Sequence, residues 1–389
     1  MSYEGIDYYR IDDLLNDEER RIRDDVREWV STRLLPVINK HYNDSTFPNQ
    51  LIPEMADLGL LGITLSPEYG GKGHGYVSYG LAMQELERGD SGIRSFASVQ
   101  NSLVIYPILT WGTEEQKKFW LPKLASGEKI GSYGLVEPGF GSNPGGLITT
   151  ARKVDGGYIL NGKKRWITNS PFADVNLVWA KLDGEIAGFL VEKGSKGLNC
   201  PEITGKWSLR ASITGEILMD AVFVPDTHRL EKANGLASPL MCLSQARYGI
   251  AWGVLGAMQD CYDSVINYAK TRNQWGKSIG GFQLVQDKLV TILNEITLGQ
   301  LLVYRLGRLK ESGKANFRQI SLAKRNNCQK ALEVARIARD LLGAEGILED
   351  YPVMRHMANL ESVYTYEGTH HMHTLIVGSD ITGIEAYEG

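Results

Sequence analysis

Gly157-Tyr158-Ile159-Leu160-Asn161-Gly162-Lys163-Lys164-Arg165-Trp166-Ile167-Thr168 is the stretch on which the fold reading turns. Two runs of β-favouring residues, Tyr158-Ile159-Leu160 and Trp166-Ile167-Thr168, flank Asn161-Gly162. Asn-Gly tolerates positive φ at both central turn positions, so the spacing predicts a β-hairpin. Similar short runs occupy 175–180 and 186–191, separated by glycine-containing turns. The region from 130 to about 230 therefore reads as a small antiparallel β domain.

Helical periodicity governs both flanks. Upstream, Ile22, Val26, Trp29, Val30, Leu34 and Val37 recur at helical spacing, and Asn16 with Glu19 forms a capping-box pattern. Helical patterns continue to about Gly127, interrupted near 70–75 and at Pro107. Downstream of a loop at 234–239, Ile292, Ile296, Gly299, Leu302 and Val303 lie on one stripe, which a bundle of long helices would bury. The expected fold class is α+β: an N-terminal α-helical domain (1–129), a middle small antiparallel β domain (130–235), and a C-terminal α domain of four-helix-bundle type (236–389).

At 389 residues the chain exceeds the roughly 250–300 at which single cores stop growing, so more than one packed unit is expected. Its 42 basic and 46 acidic residues are spread along the chain, giving a formal charge of −4 and no basic stripe for nucleic acid or a membrane surface. Cys200, Cys242, Cys261 and Cys328 are scattered, with no CxxC pair, which fits a reducing compartment and neither a disulfide framework nor a zinc site. The opening MSYEGIDYYRIDDLL has no apolar signal core, and no run approaches the ~20 uninterrupted apolar residues of a membrane span. Cytoplasmic residence without membrane insertion is the expectation, and a processed organellar form would read the same.

Four constellations carry chemistry. Glu137-Pro138-Gly139-Phe140-Gly141-Ser142 is a glycine-rich turn that lets backbone approach an anion or a ring carbonyl. No GxGxxG joins a strand to a helix, so a Rossmann site is not supported. Trp166-Ile167-Thr168-Asn169-Ser170 offers an indole and hydroxyls, and either core packing or a cofactor contact fits it. Arg272-Asn273-Gln274-Trp275-Gly276-Lys277 with Phe282-Gln283 places a permanently charged fork in a helix-connecting break, as a pyrophosphate site or a solvated loop would. Tyr364-Thr365-Tyr366-Glu367-Gly368-Thr369-His370 sets a carboxylate among aromatics, where burial would raise its pKa toward a useful base. His370, His371 and His373 invite a metal reading, but no HExxH accompanies them, and no metal is expected.

In this order and on this framework, the constellations resemble the acyl-CoA dehydrogenase family over essentially the whole chain. The resemblance implies FAD between the β domain and the C-terminal helices, with the acyl-CoA tail beside it. It implies that Tyr133, Leu135, Val136, Gly141, Ser142, Trp166, Ile167 and Thr168 line the flavin, Ser142 also lying near CoA. Thr369 would touch FAD, while Arg272, Gln283 and Asp340-Leu341-Leu342-Gly343-Ala344 would reach the FAD of a neighbouring subunit in a homotetramer. Leu243, Arg247 and Gly368 are carried over as substrate contacts. Glu367 matches the base, its backbone N–H and a ribityl hydroxyl polarising the thioester carbonyl. An electron-transfer flavoprotein is the implied acceptor.

Within the family the run 85–100 resembles members that act on glutaryl-CoA. Arg94, Ser95 and Ser98 match the group that binds the distal carboxylate, and an arginine opposite a plain fatty chain would lack a partner. The plain alternative is a helix-surface salt bridge from Arg94 to Glu87 or Asp90. Tyr366 and Glu87 match decarboxylating members, so the expected course is oxidation, loss of carbon dioxide and reprotonation to crotonyl-CoA, with Glu367 as base and then acid. Asn143, Trp275 and His371 depart from the family pattern. Another short-chain acyl-CoA dehydrogenase, an acyl-CoA oxidase, a metal-dependent hydrolase using the histidines, or a silent binding member are the competing readings.

Overall fold

Asn16 begins the first helix as its spacing predicts: its side chain accepts the Glu19 backbone N–H at 2.9 Å while the Glu19 carboxylate accepts the Asn16 N–H at 2.9 Å. The structure, a computed structural model, describes residues 5–233 and 235–386. The opening residues 1–4 and Asn234, where the second inter-domain loop is expected, lie outside them. Helix α1 (Asp17–Trp29) passes through a π-helical turn into α2 (Leu35–Asp44), and α3 (Ile52–Asp57), α4 (Tyr76–Gly89), α5 (Ser91–Ser98), α6 (Tyr106–Trp111) and α7 (Glu114–Ala125) follow. Asp90 breaks α4 from α5, adopting an extended backbone and accepting Gly92 N–H at 2.7 Å as the N-cap of α5.

The middle region forms β1 (Gly131–Gly134), β2 (Thr150–Val154), β3 (Gly157–Thr168), β4 (Val175–Leu182), β5 (Glu185–Glu192), β6 (Leu198–Asn199) and β7 (Thr214–Pro225). Their order is β1-β4-β2-β3-β7-β6, with β5 also on β4. The sheet is mixed rather than wholly antiparallel. β1 and β2 lie end to end along β4, both parallel to it, pairing at 175–178 and 181–182.

The predicted hairpin at Asn161-Gly162 does not form. β3 is one long strand, antiparallel to β7, and Asn161-Gly162 is a register shift within it: Leu160 pairs with Val222 and Gly162 with Met219. Asn161 accepts the Ala221 backbone N–H at 2.8 Å, satisfying a group that the bulge would leave open. The hairpin turn lies one run earlier, at Asp155-Gly156 between paired Val154 and Gly157, with Gly156 at φ 71°. Long pairing with β7 buries Tyr158, Leu160 and Ile167, and that outweighs a local turn preference.

The chain returns to helices with α8 (Ala237–Thr271), a ribbon of β8 (Asn273–Gln274) and β9 (Lys277–Ser278), then α9 (Gln283–Glu311), α10 (Phe317–Leu341), α11 (Val353–Thr365) and α12 (His370–Thr382). α8 packs α4 on one side and α10 on another, so N- and C-terminal helices share a core that includes Trp29, Leu86, Trp252, Leu255 and Val334. Each fully buried aliphatic side chain there stabilises by ~1.5–3 kcal/mol. Close approach depends on glycine: a Cβ at Gly256 would strike the Gln84 carbonyl, and one at Gly253 would strike Glu87 Oε2. The β domain has its own core around Leu160, Val178, Phe189 and Ile217. A third cluster, with Trp111, Tyr133, Trp179 and Cys242, ties the sheet to the start of α8. By length and composition α9 alone among the described helices could cross a membrane, with a window of mean hydropathy 1.2, yet Ile292, Ile296 and Val303 are buried in the shared core. All four cysteines are free.

Candidate functional site

At the end of α11 the chain turns through Tyr366-Glu367-Gly368 before Thr369 caps α12 by accepting Met372 N–H at 3.1 Å. Glu367 takes a left-handed backbone at φ 52°, which a non-glycine residue adopts only when its surroundings hold it there. Arg247 Nε donates to the Glu367 carbonyl at 2.6 Å, and the Lys324 ammonium donates to the carbonyls of Tyr366 and Gly368 at 2.8 and 2.9 Å. Glu367 Oε2 is buried without a hydrogen-bond partner among the described residues. Burial raises the carboxyl's pKa, and Arg94, Lys324 and Arg247 partly oppose the rise.

Arg94 lies fully buried on α5. Its Nε donates to Glu87 Oε2 at 2.6 Å and its Nη2 donates to the Tyr366 hydroxyl, while Nη1 has no partner among the described residues. Glu87 also accepts from Ser91 at 2.8 Å, and Ser95 Oγ lies 3.3 Å from the Tyr366 hydroxyl. The surface salt-bridge alternative is right in one partner and wrong in its setting: Arg94 pairs with Glu87, but both are fully buried, and Asp90 pairs with Arg355 at 3.1 Å. The pairing leaves one guanidinium nitrogen over. Ser98, also buried, closes α5.

Residues carried over as far apart as Glu87, Arg94, Ser95, Arg247, Tyr366, Glu367 and Gly368 therefore meet in one place. Leu243 stands one turn before Arg247 on α8 and is half-buried. Tyr133 bridges from the sheet by donating to the Pro239 carbonyl at 2.9 Å. Leu135 and Ile167 are buried, Val136, Thr168 and Thr369 half-buried, and Gly141 and Ser142 exposed. Trp166 stands 57% exposed at φ 63°, turned outward by a second register shift in β3 between Lys164 and Ile167.

Glu137 is a strut rather than a ligand group. Its carboxylate accepts from Lys164 Nζ at 2.8 Å, from the backbone N–H of Ile148 and Thr149 at 2.7 and 2.9 Å, and from the Thr149 hydroxyl at 2.5 Å. The glycines after it stay open: a Cβ at Gly139 or Gly141 would meet nothing within 4 Å. An exposed indole, an open glycine ledge and a buried carboxylate oxygen without a partner fit a flat, polar-edged ring system such as a flavin.

Arg272 and Gln283 are exposed near the β8–β9 ribbon, beside Trp275, which packs edge-on against Phe282. Asp340 pairs with Lys288, Leu341 is half-buried and Leu342 buried, and Gly343 and Ala344 are exposed. None of these bonds to the cluster around Glu367. His370 stacks on Tyr364 at 4.8 Å, His371 is exposed, and buried His373 is pushed down to about 2 by burial and the nearby Lys324 and Arg247 cations. No group of three or more metal-ligating side chains occurs among the described residues.

Lys324 escaped the sequence reading, although a signal was present. It falls on the apolar stripe of α10 with Ile320, Ala323, Asn327, Cys328 and Ala331, all buried, and a lysine on such a stripe needs a partner.

The chain matches the family models described as acyl-CoA dehydrogenase N-terminal domain at 16–128, middle domain at 132–222 and C-terminal domain at 233–382. It is similar to the crystal structure of glutaryl-CoA dehydrogenase from Mycobacterium smegmatis, at TM-score 0.95 and 49% identity over 97% of this chain and 98% of that one. A second M. smegmatis glutaryl-CoA dehydrogenase structure, in complex with FADH2, matches at TM-score 0.96 and 47% identity over 98% of each chain. Among curated sequences, the mitochondrial 2-methylacyl-CoA dehydrogenase of Solanum tuberosum is 32% identical over 95% of this chain and 91% of its own length.

Proposed function

The chain belongs to the acyl-CoA dehydrogenase family and is an FAD-dependent oxidoreductase, and from that premise we propose that it oxidises glutaryl-CoA and decarboxylates the product to crotonyl-CoA. One observation carries the choice of substrate. The cluster around the base holds three cations, Arg94, Arg247 and Lys324, against two carboxylates, Glu87 and Glu367. Tyr366 stays neutral, because burial raises its pKa far above the ordinary value. One positive charge is left over in a buried site, and an acyl chain ending in a carboxylate would neutralise it where a plain fatty chain would not. Arg94 Nη1 is the donor available for that carboxylate.

Glu367, its proton affinity raised by burial, removes the α-proton of the thioester, whose carbonyl is polarised by the Glu367 backbone N–H. Bound FAD supplies the two-electron acceptor for the β-hydride. Loss of carbon dioxide from the resulting glutaconyl group leaves a dienolate, and the proton held on Glu367 returns to it. Tyr366, hydrogen-bonded to Arg94 and facing Ser95, keeps the departing carboxylate in a polar lining.

The same reading takes the units as 1–129, 130–235 and 236–389, the assembly as a homotetramer, the acceptor as an electron-transfer flavoprotein and the location as cytoplasmic. The exposed apolar side chains of Trp275, Leu284, Val290 and Leu298 support assembly. Anaerobic addition of glutaryl-CoA to the flavoprotein tests the reaction. Bleaching of the flavin with release of crotonyl-CoA is expected. Glutaconyl-CoA as the end product would remove the decarboxylation, and bleaching by butyryl-CoA but not by glutaryl-CoA would overturn the substrate.

A further inference from the structure

We propose that Lys324 is a positioning residue of the base: with Arg247 it clamps three successive carbonyl oxygens, and so fixes the left-handed Glu367 with a positive charge beside its peptide. The reading of Glu367 as the base is presupposed.

Lys324 is fully buried on α10, and its ammonium donates to Tyr366 O at 2.8 Å, Gly368 O at 2.9 Å and Val363 O at 3.4 Å. The carbonyl between the first two, that of Glu367, is held by Arg247 from α8 at 2.6 Å. Two of Lys324's three acceptors, Val363 O and Tyr366 O, lie at the C-terminal end of α11, where carbonyls lack helical partners and a cation is favoured. A simple helix cap would stop there. Lys324 also reaches across Glu367 to Gly368, so it holds the base's peptide from both sides.

The groups facing Lys324 are few. From its own helix comes Cys328, a thiol raised by burial to about 11 and therefore neutral. Arg247 on α8 and Arg94 on α5 are cations, and His370 and His373 on α12 are held below their ordinary pKa, first by burial. Tyr366, whose ring centroid lies 5.9 Å from the ammonium, is neutral, and the carboxyl acting on Lys324 is that of Glu367, whose burial-driven rise Lys324 in turn opposes. Burial brings Lys324 itself down to about 8, so it still carries its charge at neutral pH. A buried lysine is costly, and the carbonyl clamp gives a reason for its presence on an apolar stripe.

The test titrates the carboxyl of Glu367 in the FAD-loaded protein by infrared difference spectroscopy, each variant being referenced to its Glu367→Gln counterpart. In Lys324→Met the carboxyl titration is expected to rise by about one pH unit, the lower end of what losing a near opposite charge does. In turnover, kcat should fall roughly tenfold with KM little changed, because the loop misplaces the base without touching the acyl chain. Lys324→Arg should restore the titration in large part. Lys324→Gln, which keeps a donor without the charge, serves where Lys324→Met does not fold, and it should show the same upward shift. A folded, FAD-loaded Lys324→Met or Lys324→Gln with an unchanged carboxyl titration would overturn the proposal. Full activity in Glu367→Gln would instead sink the reading of Glu367 as base, and the carboxyl titration would still decide what Lys324 does to it.

Discussion

Two glutamates in this chain, buried Glu137 shortly after β1 and half-buried Glu367 after α11, share a residue type and a carboxyl drawn out of solvent yet are handled in opposite ways. Burial acts to raise both. At Glu137 the Lys164 ammonium, the Thr149 hydroxyl and the Ile148 N–H outweigh it, and the carboxyl is held below its ordinary value. At Glu367 one oxygen has no partner among the described residues, the cations act through space, and the carboxyl is raised. A carboxylate tied by four hydrogen bonds is a strut, and one with an oxygen left wanting a partner suits the part of the proposed base.

Replacing each glutamate in turn should break the comparison. Glu367→Gln keeps the shape and removes the base, so flavin reduction by acyl-CoA should fall by about 10⁴-fold, the upper range for general-base loss, with FAD still bound and the melting temperature little changed. Stopped-flow bleaching and the visible spectrum measure both. Glu137→Gln should do the reverse. It leaves Lys164 buried without its counter-charge, costing about 3–5 kcal/mol of stability in denaturant unfolding, while the folded fraction keeps its rate of reduction.

Arg94→Gln probes the left-over charge. We expect kcat/KM for glutaryl-CoA to drop by roughly 10²-fold or more, with butyryl-CoA affected far less, as losing one partner of a buried charge pair predicts. Equal losses for both substrates would assign Arg94 to the fold alone.

Acidity should separate the two carboxyls as well. Glu367 must be ionised to accept a proton, so kcat/KM should fall as pH drops through its raised pKa, at a pH above the ordinary carboxylate range. Glu137 has a depressed folded pKa, so its contribution to stability is present above the unfolded pKa of ~4.3 and is lost only as pH falls through the lower folded value. Activity should therefore fail before the β domain does, which parallel rate and circular-dichroism titrations would reveal. Tyr366→Phe should have the smallest effect, about 1 kcal/mol or some fivefold in rate, because it removes one hydroxyl between Arg94 and Ser95 while keeping the ring.

The α, β, α order, the capping box at Asn16 and the stripe at Ile292 and Ile296 were legible in the sequence, since each rests on contacts within a few residues. That Glu367, Arg94 and Arg247 lie in one cluster was legible only through family resemblance, as residue types in motifs of fixed order. The Asn161-Gly162 hairpin misled because a dipeptide's turn preference, worth little, met a long strand pairing with β7 that buries several side chains. The mixed sense of the sheet was hidden too, because β1 pairs with β4 some forty-four residues away and no local pattern records that.

The sequence by itself therefore determined which elements form and which carboxylate has the family's place for the base. Tertiary structure alone decided what each buried charge does. Helix and strand periodicity are properties of neighbours along the chain, whereas a pKa, a left-handed φ at Glu367 and the reach of Lys324 from α10 to its carbonyls depend on groups that only folding brings within bonding distance.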